Sequence, residues 1–167
     1  MLHGMTHEDN FEAIYAEHAE RLFGFLAYRT GDRELAEDLV AETFERALRA
    51  RERYDGRRGT SAWLYTIALN LLRDRGRRRA AEQRALERIG APHGGQGAGG
   101  IDLLEDRDLV MRALATLSAE ERDAIALRYG ADLTAPEIAR LADEPLTTVE
   151  GRIYRALRKL RERFEGD

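Results

Sequence analysis

Cysteine is absent from the 167-residue sequence, and this absence limits the chemistry that the chain can carry. Without thiols the protein forms no disulfide and no thiolate metal site, which fits a reducing compartment. Histidine is scarce, and a satisfied or solvated side chain is a better interpretation than a metal ligand for each of its four residues, which are His3, His7, His18 and His93. Because no nucleophile–base pair or phosphate loop is recognisable either, we expect no enzymatic activity, no metal and no cofactor.

Long apolar runs are missing as well. The segment Met1–Asn10 is polar and lacks the apolar core of a signal peptide, and no later run is long enough to span a membrane. We therefore expect a soluble, cytoplasmic protein with no membrane partner.

Negative charge outweighs positive charge, giving a formal net charge of −4, but the two signs are separated along the chain. Residues 1–50 carry eleven acidic residues against five arginines, whereas residues 51–80 carry nine arginines against three acidic residues. Residues 152–167 are basic again, with six cations against three acidic residues, and Lys159 is the only lysine of the chain. The blocks predict two surfaces that bind polyanions, and acidic faces that suit a basic protein partner.

The most informative stretch is residues 59–79, where a helix with three different sides is predicted. Its apolar stripe, spaced like a packed helix face, consists of Trp63, Leu64, Ile67, Ala68, Leu71 and Leu72. Its polar edge consists of Thr66, Asn70, Arg73 and Arg77. An amide among arginines suits contacts to bases and phosphates. The residues alone leave two interpretations open: a nucleic-acid interface, or a core helix with a solvated basic end.

Two helices are predicted before this stretch, over residues 11–30 and 33–51, with Asp32 as the N-cap of the second. The outer side of the second helix is strongly acidic and carries Glu37, Asp38, Glu42 and Glu45. Since no pocket-forming loop or nucleophile accompanies these carboxylates, a charged docking face is the better interpretation.

Residues 90–100 contain six glycines and one proline, a composition typical of a flexible linker. The helical patterns on both sides of it predict an all-α fold of two small helical domains. The predicted boundaries are 8–89 for the first domain, 90–101 for the linker and 102–165 for the second domain.

The second domain reads as four helices, the first two over residues 103–117 and 119–129. Capping boxes are predicted at three helix starts, namely Ser118 with Glu121, Thr134 with Glu137 and Thr147 with Glu150. A short helix, a tight turn around Pro145 and a long basic helix predict a helix-turn-helix. Its outward residues are expected to include Thr148, Arg152, Arg155, Arg158 and Lys159. A plain helical hairpin is the alternative.

These patterns resemble those of bacterial RNA polymerase sigma factors, in the extracytoplasmic-function (ECF) branch of the sigma-70 family. Residues 38–44 (DLVAETF) and 62–68 (AWLYTIA), with Asn70, are similar to region 2. Similarity to region 4 is found at residues 114–117 (LATL), 127–129 (LRY), 137–139 (EIA), 148–149 (TV) and 152–156 (RIYRA). The resemblance covers nearly the whole chain, with both motif sets in the order of the family.

The resemblance implies a promoter-recognition subunit whose partners are the polymerase core, at its clamp and flap regions, and promoter DNA; it leaves an anti-sigma protein open as a further partner. Polymerase contacts would map to Asp38, Glu42 and Phe44. Contacts to the melted −10 strand would map to Arg57, Arg58, Trp63, Thr66, Asn70, Arg73 and Arg77. Contacts to the −35 duplex would map to Thr148, Glu150, Arg152, Arg155 and Arg158.

The chain departs from the family pattern at three positions. Glu150 and Gly151 stand where many relatives carry a basic residue and a serine, and Asp143 stands at a turn position usually held by glycine. A glutamate weakens phosphate contacts, although it can accept a hydrogen bond from cytosine N4.

The alternative function is a helix-turn-helix regulator that binds duplex operators without joining the polymerase. That alternative gives no role to residues 59–79 or to the acidic face.

Overall fold

A computed structural model describes residues 7–54, 59–90 and 104–166, and every regular element in them is helical. The α-helices are α1 (His7–Thr30), α2 (Arg33–Ala50), α3 (Thr60–Ile89), α4 (Leu104–Ala115), α5 (Ala119–Ile125), α6 (Ala135–Ala142) and α7 (Leu146–Glu165). A 3-10 turn, Arg51–Arg53, follows α2, and a π-helical turn, Ala126–Gly130, follows α5. The prediction of an all-α fold is therefore confirmed. The predicted linker lies almost entirely outside the described residues.

Helices α1, α2 and α3 pack together into the N-terminal half. Asp32 caps α2 as predicted, since its carboxylate accepts a hydrogen bond from the Leu35 N–H at 3.1 Å. The buried stripe of α3 differs in part from its prediction: Leu64, Ala68 and Leu71 are buried, and so is Tyr65. The Tyr65 ring packs edge-on against Phe25 at 5.6 Å between centroids. Among the residues predicted for the stripe, those that stay partly exposed are Trp63, Ile67 and Leu72.

Helices α4 to α7 form the C-terminal half, and two of its three predicted capping boxes are confirmed. The Ser118 hydroxyl accepts from the Glu121 N–H at 3.1 Å, and the Glu121 carboxylate accepts from the Ser118 N–H at 3.0 Å. Thr134 and Glu137 make the same pair of bonds at the start of α6. Helix α5 ends at Ile125, earlier than predicted, because the chain widens there into the π-helical turn.

The third predicted capping box is wrong. Helix α7 begins at Leu146, and Pro145 occupies the N-cap position without a side-chain cap. The proline ring fixes φ near −59° with extended ψ, so the helix starts directly after it. Thr147 therefore lies inside the first turn, where its backbone cannot adopt the extended conformation of an N-cap. The preceding turn passes through Asp143, which takes the left-handed conformation with φ 55° and ψ 45°.

The two halves pack against each other, a contact that the sequence did not predict. One buried cluster contains residues of both, including Phe25 and Leu64 from the N-terminal half and Leu133, Ile138 and Val149 from the C-terminal half. Helix α1 lies against the π-helical turn, and α3 lies against α6. Within the described ranges, no helix is long and apolar enough to cross a membrane.

Candidate nucleic-acid interface

The acidic side of α2 is exposed at Asp38 but partly neutralised at Glu42. The Glu42 carboxylate pairs with Arg46 one turn later at 2.9 Å, and with Arg75 on α3 at 3.6 Å. These pairs are exposed to solvent and therefore weak. Glu42 thus makes only loose contact with the middle of α3, and the exposed Asp38 is the stronger candidate for contact with another protein.

Phe44 is one of the buried residues of α2. Only 5% of the residue is exposed, and its ring packs against Tyr15 at 4.7 Å and Phe11 at 6.1 Å between centroids. Phe44 thus holds α1 and α2 together. The position predicted for direct contact with the polymerase is therefore part of the core, and an effect of Phe44 on binding would act through this packing.

The polar edge of α3 is exposed as predicted and faces the C-terminal half. Thr66, Asn70 and Arg73 line a cleft of about 270 Å³, whose opposite wall is formed by α5 and α6. The Thr66 hydroxyl donates to the carbonyl of Ala62 at 2.7 Å, so it is turned toward its own helix. Arg77 pairs with Asp74 at 2.5 Å on the exposed surface. The amide of Asn70 is therefore the group of this edge that is best suited to reading a base.

Trp63 is partly exposed and stacks on Tyr54, with 4.4 Å between ring centroids and 18° between planes. The Tyr54 hydroxyl lies 3.4 Å from the Thr60 hydroxyl, which joins the stack to the first turn of α3. Arg57 and Arg58, predicted to hold the unpaired strand, lie between these aromatics in sequence and outside the described residues. Aromatic faces at such a position suit stacking of unpaired bases.

The recognition helix α7 presents Thr148, Glu150, Arg155 and Arg158 to solvent, as predicted. Arg152 differs, because only 19% of its side chain is exposed. Its guanidinium donates two hydrogen bonds to the carboxylate of Glu144, at 2.6 and 3.1 Å.

This forked ion pair joins the turn before α7 to the second turn of α7. The hydrogen bonds from Arg152 hold the pKa of Glu144 below its usual value, even though partial burial acts in the opposite direction. The pKa of Arg152 is raised by the same bonds. Arg152 is therefore suited to fixing the recognition helix, whereas the guanidinium of Arg155 is exposed and available to DNA.

Lys159 also differs from its predicted outward role. Its ammonium group donates to both carboxylate oxygens of Glu121, at 3.0 and 2.9 Å, and Glu121 is buried. Burial acts to raise the pKa of Glu121, but the hydrogen bonds from Lys159 and from the Ser118 N–H outweigh it and hold that pKa below its usual value. The single lysine of the chain thus links α7 to the first turn of α5.

Two residues of this region escaped the sequence prediction. Glu144 looked like an ordinary turn residue, although its spacing of eight positions from Arg152 was a usable signal once the turn was recognised. Tyr154 is 68% exposed and follows Glu150 by four positions on α7, so it shares the outer face. In the described ranges, no group of three or more histidine, aspartate or glutamate residues could hold a metal ion.

Comparison with known proteins agrees with this geometry. Residues 14–82 match the family described as Sigma-70 region 2, and residues 107–160 match that described as Sigma-70, region 4. The chain is 36% identical over 154 residues to the ECF RNA polymerase sigma factor SigL of Mycobacterium tuberculosis, with 89% of this chain and 85% of SigL covered. It is 32% identical over 167 residues to the RNA polymerase sigma factor CarQ of Myxococcus xanthus, with 93% and 89% covered.

Two solved structures share the fold. The sigma factor RpoE, crystallised with the anti-sigma factor NepR from Bartonella quintana, matches with a TM-score of 0.70 at 27% identity, covering 95% of this chain and 98% of RpoE. CnrH, in complex with the cytosolic domain of CnrY, matches with a TM-score of 0.65 at 26% identity, covering 96% of this chain and 90% of CnrH. On these matches and on the residues described above, the chain belongs to the ECF branch of the sigma-70 family of RNA polymerase sigma factors.

Proposed function

We propose that the chain binds core RNA polymerase and directs it to promoters by reading two DNA elements, a melted −10 strand and a −35 duplex. The observation that carries this proposal is the order of surfaces along one chain. An exposed acidic side on α2 is followed by an exposed amide–arginine edge on α3 and then by a helix-turn-helix with exposed arginines. A regulator that binds duplex operators without the polymerase would need only the last of these surfaces.

Docking on the polymerase clamp is assigned to Asp38 and Glu42. Asp38 is exposed, and Glu42 can exchange its solvent-exposed arginine partners for basic groups of the polymerase. The C-terminal half is assigned to the flap region. Binding in this way needs no catalytic group, and the chain acts as a DNA-binding initiation factor in the cytoplasm, where the polymerase works.

Capture of the melted −10 strand is assigned to the edge of α3. Burial of Leu64, Ala68 and Leu71 fixes the helix, so the backbone that carries Asn70 and Arg73 is held in place. The Trp63–Tyr54 stack offers an aromatic surface to an unpaired base. Arg57, Arg58 and Arg77 would hold the strand by its phosphates, and Thr66 would contribute a secondary contact because its hydroxyl is engaged with Ala62.

Reading of the −35 duplex is assigned to the exposed face of α7. Arg155 is placed to contact guanine or phosphate, and Glu150 can accept from cytosine N4. Thr148 and Arg158 suit backbone contacts at either side of them. Arg152 takes part by positioning α7 through Glu144.

An anti-sigma protein is proposed as a further partner. Both solved structures described above hold their sigma factor in a complex, RpoE with the anti-sigma factor NepR and CnrH with the cytosolic domain of CnrY. The chain matches these two structures over 95% and 96% of its length, and this similarity supports a partner of the same kind.

The test is in vitro transcription with core polymerase on fragmented genomic DNA, followed by Asn70→Ala at the promoters that are found. Loss of one specific base contact costs about 1–3 kcal/mol of binding free energy, which should lower open-complex formation roughly 5- to 150-fold. Gln83→Ala is the matched control, because Gln83 is an exposed amide farther along α3. A template with a melted −10 bubble should restore most of the activity, since unstacking no longer has to be driven by the protein.

Two results would contradict the proposal. If the wild-type chain gives no promoter-specific transcripts, the proposed function in transcription initiation is wrong. If −10 thymines are equally reactive to permanganate with wild type and with Asn70→Ala, the edge of α3 does not capture the melted −10 strand.

A further inference from the structure

The second half of α3, residues 75–89, is a helical arm on the surface of the protein. Every residue of this α3 arm is exposed, whereas the first half of the helix buries Leu64, Tyr65, Ala68 and Leu71. An isolated helix of this length is only marginally stable in water. A partner bound along the α3 arm would therefore stabilise it.

The arginines of the arm continue the polar edge of α3. An α-helix turns by about 100° per residue, so Arg84 and Arg88 fall within the same sector of α3 as Asn70, a sector about 60° wide. We call the residues of this sector the arginine track. Its members in chain order are Thr66, Asn70, Arg73, Arg77, Arg84 and Arg88.

The acidic residues of this part of α3 lie outside the arginine track. Asp74, Glu82 and Glu87 are rotated away from its sector by about 40° or more. The exposed apolar residues Leu86 and Ile89 lie on the other side of the arm. The track thus presents cations with no carboxylate among them, an arrangement that attracts a polyanion.

Duplex DNA fits the arm better than a single strand or an acidic protein does. Between Arg77 and Arg84, the residues nearest to the track are Ala80 and Ala81, and residues 75–89 contain no aromatic residue. Single strands are bound largely by stacking on aromatic rings, and protein interfaces have an apolar core. Contacts from arginine to the phosphates of a duplex need neither.

The length and direction of the arm also fit a duplex. Arg88 follows Asn70 by 18 positions, which is about 27 Å along the helix axis and equals about eight base pairs of duplex. The arm leads along the chain from the edge assigned to the −10 strand toward the half assigned to the −35 duplex. The match to Sigma-70 region 2 ends at residue 82 and that to region 4 begins at residue 107, so neither includes Arg84 or Arg88.

We propose that Arg84 and Arg88 bind phosphates of duplex DNA, and that the α3 arm lies along the duplex immediately upstream of the melted −10 element. The position beside the −10 element rests on the proposed function, whereas phosphate binding by the arm does not. Because the arm contacts phosphates alone, it adds affinity that is independent of sequence and that decreases with salt.

The first experiment measures duplex binding by the full chain without polymerase. The probe is a fluorescein-labelled duplex of random sequence, about 30 base pairs long, and anisotropy is followed from about 25 to about 100 mM salt. The parent chain for this experiment carries Arg155→Gln, which removes an exposed arginine of the recognition helix. Binding through α7 then does not dominate the measurement.

The decisive variant, the track variant, combines Arg84→Gln with Arg88→Gln, and its matched control combines Arg78→Gln with Arg79→Gln. Both pairs remove two positive charges from the arm, but Arg78 and Arg79 are rotated away from the track by about 80° and about 120°. Glutamine keeps the helix propensity of arginine, and circular dichroism checks the helicity.

The expected difference between the two variants is a difference in salt dependence. Loss of two phosphate contacts should make the slope of log affinity against log salt shallower by about 1.8 in the track variant. Its loss of affinity relative to the parent should therefore shrink about 12-fold between about 25 and about 100 mM salt. The control variant should keep a slope close to that of the parent.

The second experiment tests the position of the arm, with Arg155 restored and core polymerase bound. One promoter probe has a single-stranded −10 element and an unmodified duplex upstream of it. The other probe carries neutral methylphosphonate linkages in about eight base pairs of that duplex. The track variant should bind the first probe more weakly than wild type does, and this difference should disappear on the second probe.

Equal slopes of the track variant and the control variant on the random duplex would overturn phosphate binding by the arm. A loss of promoter affinity that persists with the neutral linkages, or that is absent from both probes, would overturn the position beside the −10 element. Since the first experiment needs neither polymerase nor promoter, it reports on phosphate binding whatever transcription assays give.

Discussion

The Glu144–Arg152 pair gives the sharpest prediction about the recognition helix. Glu144→Gln keeps the shape of the side chain but removes the charge that receives two hydrogen bonds, at 2.6 and 3.1 Å. Hydrogen bonds to charged groups contribute about 1.5–3 kcal/mol, and partial exposure of both side chains lowers this to about 1–2 kcal/mol. For a chain of this size, that loss corresponds to a Tm lower by about 2–8 °C.

The pH dependence of this loss has a defined sign. The pKa of Glu144 in the folded chain is lowered below its usual value of 4.5 by the hydrogen bonds from Arg152. A lowered pKa means that the stabilisation is complete above the usual value and is lost as the pH falls through the folded-state pKa. The difference in Tm between wild type and Glu144→Gln should therefore be full at neutral pH and should shrink in acid below 4.5.

Thermal unfolding followed by circular dichroism measures this difference, with Glu150→Gln as the control for removing an exposed carboxylate from the same region. In a double-mutant cycle with Arg152→Ala, most of the stability lost in Glu144→Gln should appear as an interaction energy between the two residues. If Glu144→Gln and Glu150→Gln have the same Tm at neutral pH, or if the cycle shows no coupling, Arg152 does not position α7 and direct contact with the −35 duplex becomes its better role.

Three further predictions concern other contacts. Burial, with only 3% of the residue exposed, raises the pKa of Tyr65 from 10.0 to about 12. The free energy of unfolding should therefore fall by up to roughly 2–3 kcal/mol as the pH rises from 10 to 12. Tyr65→Phe should abolish this alkaline loss, as measured by urea unfolding. Asp38→Arg combined with Glu42→Arg should weaken binding to core polymerase by about 2–5 kcal/mol in pull-down titrations; unchanged affinity would exclude this side of α2. Lys159→Met should lower the free energy of unfolding by about 1–3 kcal/mol, because Glu121 stays buried without its cation. A variant as stable as wild type would show that the Lys159–Glu121 pair does not stabilise the fold.

Elements whose causes are local could be predicted from sequence. The Asp32 cap and the boxes at Ser118 and Thr134 depend on residues three positions apart, and all three formed. The box at Thr147 failed because Pro145, two positions earlier, takes the cap position with its fixed backbone. Local patterns are therefore reliable only where no neighbouring residue competes for the same place.

Roles that depend on tertiary partners could not be predicted in this way. The resemblance suggested that Phe44 contacts the polymerase, and only the packing of Phe11 and Tyr15 shows that its ring is enclosed. Arginine side chains are long enough to turn toward a partner on another element, as Arg152 does toward Glu144. The contact between the halves was hidden for the same reason, since a sequence does not reveal which apolar face covers which.

The stack of Trp63 on Tyr54 has a spectroscopic consequence. Trp63 is the only tryptophan of the chain, so all tryptophan emission comes from one ring at the start of α3. That ring is partly exposed and lies beside the segment assigned to DNA capture. The natural protein therefore carries an intrinsic fluorophore at the place where strand capture is proposed, and its quenching or spectral shift can be followed in real time without any label.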